Sequence, residues 1–112
     1  NTFVQFITES SANCPRPTLL EEFRMKRYTG TDRFDLHTDV VNHDTAKRYL
    51  VGLLYLNTPE GGEIEFPQYD KKISPKQGDF LIFPPLWTHA HIAHPVAPND
   101  RKYLITSYAH YE

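Results

Sequence analysis

From residue 18 onward, short runs of alternating apolar and polar residues follow one another, each cut off by a turn-forming cluster. LEEFRMKRY alternates around Phe23, Met25 and Arg27; TGTD turns the chain and RFDLHTDV follows. EIEF puts Ile64 and Phe66 on one face and Glu63 and Glu65 on the other, the period-two signature of a half-buried strand. KRYLVGLLYLN is apolar on both faces over residues 48–56, which predicts an interior strand. PKQG precedes DFLIF, a double proline ends that run, and WTHAHIAHPV and KYLITSYAHY complete the set. About seven short strands with turn signals every 8–12 residues, and no internal amphipathic helix, predict an all-β sandwich or barrel. The nine prolines fall mostly in the turns, which suits many short strands. Ahead of this region, FVQFI and the breaker-rich SSANCPRP read as a short element and a loop.

Composition narrows the setting. A chain of 112 residues makes one domain with a core of its own. The lone cysteine, Cys14, excludes an intramolecular disulfide; it reads as a small, at least half-buried thiol and fits a reducing, cytoplasmic setting. No apolar run approaches the ~20 residues that span a bilayer, and no basic-then-apolar signal opens the chain. A net charge of −2 gives no sign of attraction to nucleic acid or to an anionic membrane. The chain begins at Asn1 rather than Met, so the expectation is a single domain over residues 1–112 that lacks some N-terminal elements.

Candidate chemistry centres on FDLHTDVVNHD, residues 34–44. If residues 34–40 are extended, His37 and Asp39 share a face. A distant histidine joining them would complete a two-histidine, one-carboxylate facial triad, which leaves open positions on an octahedral iron(II). THAHIAH supplies His89, His91 and His94. His43 and Asp44 lie beyond the ligand strand and read as loop residues; His94 and His110 read as ordinary surface residues.

At this point the chain resembles the iron(II)- and 2-oxoglutarate-dependent dioxygenases, in their prolyl-4-hydroxylase-like branch. The resemblance runs from Phe23 to Tyr108. It rests on Tyr28, Gly30 and Phe34 before His37 and Asp39, then YLN at 55–57, and Gly61, Gly62, Glu63 and Ile64. GDFLIFP at 78–84, a distal histidine, Pro-Val and a cation at the start of the last strand complete it. The resemblance implies a double-stranded β-helix, a jelly-roll, cupin-like core with few or no helices. It implies that His37, Asp39 and His91 bind Fe(II) and form the catalytic centre. The distal ligand lies four residues before Pro95, at His91, by one spacing and six after Phe83, at His89, by another. His91 is preferred, because the short link to the last strand constrains it more; His89 is then a residue behind the ligands or a solvated one.

The resemblance further implies that Tyr55 and one cation hold the distal carboxylate of 2-oxoglutarate. Lys102 and Arg101 are adjacent, so only one can face inward. Lys102 is preferred, because its face carries Leu104, Thr106 and Tyr108, the inward set of the family. Tyr28 is a further candidate for the pocket, and Trp87 for a loop anchor or a substrate wall. The implied reaction consumes O2 and 2-oxoglutarate, with ascorbate as a possible addition, releases succinate and CO2, and hydroxylates a peptide, protein or small-molecule substrate, with a peptidyl prolyl residue as the branch's own choice. Two rival readings stay open: a cupin-like metal-binding protein or enzyme that does not use 2-oxoglutarate, and a non-catalytic β-sandwich binding module.

Overall fold

The computed structural model describes residues 19–111. FVQFI and the loop holding Cys14 lie outside the described residues. Within them, nine strands form in chain order: β1 (Leu19–Leu20), β2 (Arg24–Thr29), β3 (Phe34–His37), β4 (Arg48–Tyr55), β5 (Ile64–Phe66), β6 (Lys71–Ile73), β7 (Phe80–Phe83), β8 (His91–Ala93) and β9 (Arg101–His110). Helix among the described residues is confined to three single 3-10 turns.

All pairings between these strands are antiparallel, and they build two sheets. In the first, β1 and β2 lie one after the other along one side of β9, and β4 and then β7 lie on its other side. The second runs β3-β8-β5-β6. Val51, Ile64, Phe66, Phe83 and Tyr108 from both sheets pack into the core. Each buried side chain of that kind stabilises the fold by about 1.5–3 kcal/mol. This is the jelly-roll, double-stranded β-helix arrangement, with β4 interior as its two apolar faces require.

Two local expectations are corrected, and one strand is added. LEEFRMKRY breaks at residues 21–23, and its Phe23–Met25 face is turned to solvent, at 53% and 69% exposure, while Lys26 and Tyr28 face inward. The segment around WTHAHIAHPV is strand only over β8, because Trp87–His89 coil into a 3-10 turn after the double proline. The short strand β6, KKI, follows a 3-10 turn and carries too few apolar residues to announce itself.

Candidate metal centre and adjoining cavity

His37 and His91 are direct register partners across β3 and β8, so the sheet itself brings the two imidazoles together, with ring centroids 4.3 Å apart. Asp39 joins them differently from the same-face expectation. The strand ends at His37, and the next turn is tied down by the backbone N–H groups of Asp39 and Val40, which both donate to the Pro85 carbonyl. This returns the carboxylate to the histidines: Oδ1 lies 3.7 Å from His37 Nε2 and Oδ2 lies 3.7 Å from His91 Nε2. One ligand atom from each of the three residues falls within 4.8 Å of the others, and they form a group that could hold a metal ion.

The ring orientations suit that role. His37 Nδ1 lies 2.7 Å from the Asp35 carbonyl oxygen, and His91 Nδ1 lies 2.9 Å from that of His89. A carbonyl only accepts, so each Nδ1–H donates and each Nε2 keeps its lone pair for a metal. His91 is wedged between Phe83 and Phe66, at 5.0 and 5.8 Å between ring centroids. Burial holds its imidazole below the usual histidine range, against the opposing pull of the His89 carbonyl and the Asp39 charge, and so favours the neutral form that binds metals. The ring of His89 stands apart, 5.1 Å from that of Tyr69, and its Nδ1 meets the Thr88 hydroxyl. His89 therefore contributes its backbone to the cluster and not its imidazole.

A cavity of about 200 Å³ is lined by these three residues and, among others, by Tyr28, Tyr55, Lys102, Thr106 and Tyr108. That is less than the ~300–1,000 Å³ of pockets for drug-sized ligands, so it suits a small acid. Lys102 is 3% exposed, and Arg101 beside it is exposed on the opposite face of β9. The Lys102 ammonium donates to the Gly62 carbonyl at 3.1 Å and lies 4.5 Å from the centroid of the Tyr28 ring. Burial pushes its pKa down to about 8, with Glu63 opposing. Gly62 makes room for its stem: φ is +75°, and a Cβ there would meet Val96 Cγ1 at 2.9 Å and Lys102 Cδ at 3.3 Å.

The hydroxyl-bearing side chains of Tyr55 and Thr106 line the same cavity. Tyr55 is buried, and burial pushes its phenol up to about 12, so it remains a proton donor at neutral pH. Thr106 Oγ1 is buried without a hydrogen-bond partner among the described residues. An orphaned hydroxyl, a phenol and an ammonium with one carbonyl partner match the needs of a buried carboxylate.

Asp39 is also braced from behind. Burial and the Asp39 charge raise the pKa of Tyr108, which hydrogen-bonds that carboxylate. The Arg48 guanidinium lies 3.9 Å from the centroid of the Tyr108 ring and donates to the Asp39 carbonyl at 3.2 Å. Its other N–H groups form a bidentate pair with Glu21, at 2.6 and 3.1 Å. Burial alone would raise the Glu21 pKa, but Arg48 and His110 together hold it below the usual carboxylate range. Replacing Arg48 with methionine keeps the stem and removes this brace. The expected result is metal binding weakened by about 10-fold, measured by titration, as for loss of a residue supporting a ligand.

Sequence reasoning missed Arg48 because its partners come from three separate strands or turns. Lys26 was legible: with Tyr28 inward, the period of two puts Lys26 on the same face. His94 and His110 are half-buried and paired with Glu65 and Glu21, not free surface residues. His43 sits in the 3-10 turn His43–Thr45, capped by Asn42, away from the cluster.

The chain belongs to the 2OG-Fe(II) oxygenase superfamily, whose sequence profile it matches over residues 23–110. Fe(II) and 2-oxoglutarate are that family's metal and cosubstrate, and the two donor sets that line the cavity fit them. Among solved structures, it is similar to a viral collagen prolyl hydroxylase from Paramecium bursaria Chlorella virus-1. The identity is 26%, with 84% of this chain and 57% of that one covered and a TM-score of 0.73. The 2OG complex of the same viral enzyme matches at 26% identity over 80% of this chain and 57% of that one, with a TM-score of 0.67. A Trichoplax adhaerens prolyl hydroxylase bound to a hypoxia inducible factor peptide matches at 25% identity, over 88% of this chain and 47% of its own, with a TM-score of 0.73. The chain thus spans little more than half of the viral enzyme. No curated protein matches it.

Proposed function

We propose that residues 1–112 form the catalytic domain of an oxygenase that couples decarboxylation of 2-oxoglutarate to hydroxylation of an organic substrate. His37, Asp39 and His91 hold the metal, and Lys102 and Tyr55 hold the distal carboxylate of the cosubstrate. One observation carries this reading: the His-Asp-His cluster and a buried, under-paired ammonium line the same small cavity. Bound Fe(II) would supply the open coordination positions and the redox chemistry that activates oxygen.

The chain's own residues do the rest. The Nε2 lone pairs of His37 and His91 and the Asp39 carboxylate fix the ion on one side of the cavity. Lys102, Tyr55 and Thr106 bind the far carboxylate and so orient the keto acid toward that ion. The apolar walls from Val51, Leu53, Ile64 and Leu104 keep water from the reacting end. Similarity to prolyl hydroxylases makes a peptidyl prolyl residue the first substrate to test. The lone cysteine fits a reducing, cytoplasmic setting.

The test needs no substrate. Anaerobic titration of the Fe(II)-loaded protein with 2-oxoglutarate should develop the weak visible charge-transfer band of a chelated keto acid. Metal binding with no such band, and no 2-oxoglutarate binding by calorimetry, would replace this reading with a cupin-like protein. Binding of neither would leave a non-catalytic module.

A further inference from the structure

Beside the cavity lies an open groove of about 350 Å³ lined by Lys26, Arg27, Tyr28, Asp32, Arg33 and Phe34. Lys26, Tyr28 and Phe34 also line the cavity with the His37–Asp39–His91 cluster, so the two spaces adjoin. The groove holds three cations and one carboxylate, in a chain whose net charge is −2. That carboxylate is already engaged: the Thr29 backbone N–H and hydroxyl donate to Asp32 Oδ2 at 2.8 and 3.1 Å. Asp35 meets Arg33 at 3.6 Å, but both side chains are largely exposed, so the pair is weak.

Lys26 is the pivotal residue. It sits on the inward side of β2 opposite Leu104, half-buried, where an apolar side chain would complete the wall without cost. Among the described residues no carboxylate lies within 4.0 Å of its ammonium. The charged groups that act on it are Asp39, whose oxygens face the two imidazoles, and the cations Arg24 and Arg48. A cation kept partly from water with no counter-ion of its own is costly unless a ligand supplies one. Burial accordingly lowers its proton affinity.

This inference rests on the proposed function and names its substrate class. We propose that Lys26, with Arg27 and Arg33 lining the same groove, is a carboxylate-binding subsite that selects substrates bearing a carboxylate near the carbon presented to the metal centre. The carboxylate comes from an acidic side chain of a peptide or from a small free acid.

The experiment uses the Mn(II)-loaded chain of residues 1–112 saturated with N-oxalylglycine, an inert stand-in for 2-oxoglutarate. Fluorescence anisotropy compares three labelled proline-containing decapeptides that differ only in glutamate, glutamine or lysine beside the proline; unlabelled prolyl-glutamate competes as the small acid. The wild type should favour the glutamate peptide about ten-fold, a preference that weakens with salt. Lys26→Met should bring the ratio within two-fold, and Lys26→Glu should invert it in favour of a lysine-containing peptide. Competition by prolyl-glutamate that depends on Lys26, without peptide discrimination, would assign the site to small acids. No Lys26-dependent preference for any carboxylate probe would overturn the proposal. N-Oxalylglycine binding, measured in parallel on wild type and Lys26→Met, reports separately on the proposed function. Intact binding alongside failed discrimination overturns the subsite alone.

Discussion

Replacing Asp39 with alanine is expected to abolish specific Fe(II) binding and, with it, metal-dependent succinate production. Asp39 is the sole anion of the cluster, and each of its two oxygens faces a different imidazole at 3.7 Å. Without it, two neutral imidazoles remain, and they neither balance the charge of a divalent ion nor complete three positions on one face. The expected loss in affinity is about 100-fold or more, at the top of the range seen when merely supporting residues are removed. The fold should survive, because the turn at residues 38–40 keeps its backbone bonds, from the Asp39 and Val40 N–H groups to Pro85 and from Arg48 to the Asp39 carbonyl, when the carboxylate and its bond with Tyr108 are lost. Asp39→Asn is the sharper variant: it keeps the shape and removes the charge. Titration with Fe(II) or Mn(II), alongside circular dichroism, separates a lost site from a lost fold. Wild-type affinity in either variant would remove Asp39 from the metal centre. Acid should act in the same direction in the unmutated protein: imidazole and carboxylate ligands bind a metal only when deprotonated, so affinity falls as pH drops.

Lys102→Met should raise the concentration of 2-oxoglutarate needed for binding by about 100-fold while leaving metal affinity unchanged. Methionine retains a long apolar stem beside Gly62 and Val96 but removes the charge that a buried carboxylate requires. Removing one partner of such a buried pair costs about 3–5 kcal/mol, roughly a hundred-fold or more. Arg101→Met is the control: Arg101 is exposed on the other face of β9, and its loss should change 2-oxoglutarate affinity less than two-fold. The reverse pattern would transfer the role to Arg101.

pH adds an independent check. Burial lowers the Lys102 pKa to about 8 from an ordinary 10.5, so the unfolded chain binds more protons than the folded one between those values. The ligand-free protein should therefore gain stability from this group as pH rises from about 8 to 10.5. If Lys102 holds the cosubstrate as proposed, binding of 2-oxoglutarate should weaken over the same rise, as the ammonium loses its charge. Lys102→Met should flatten both trends.

Much of this protein is legible in its sequence, because the signals are local. Period-two alternation exposed Ile64 and Phe66 as core residues and the two-sided apolar run as interior strand β4. The same alternation put Lys102 on one face with Leu104, Thr106 and Tyr108, and Arg101 on the other. Spacing preferred His91 to His89, and it is the His91 imidazole that faces that of His37 across β3 and β8. Other features are pairings between segments far apart in the chain, and no local pattern encodes those. The register that sets His37 against His91, the Pro85 carbonyl that turns Asp39 back to them, and the Glu21–Arg48–Tyr108 brace exist only once the two sheets close. The sequence by itself determined which side chains could take part; the tertiary structure decided which of them meet, because meeting depends on strand register and turn geometry that alternation leaves free.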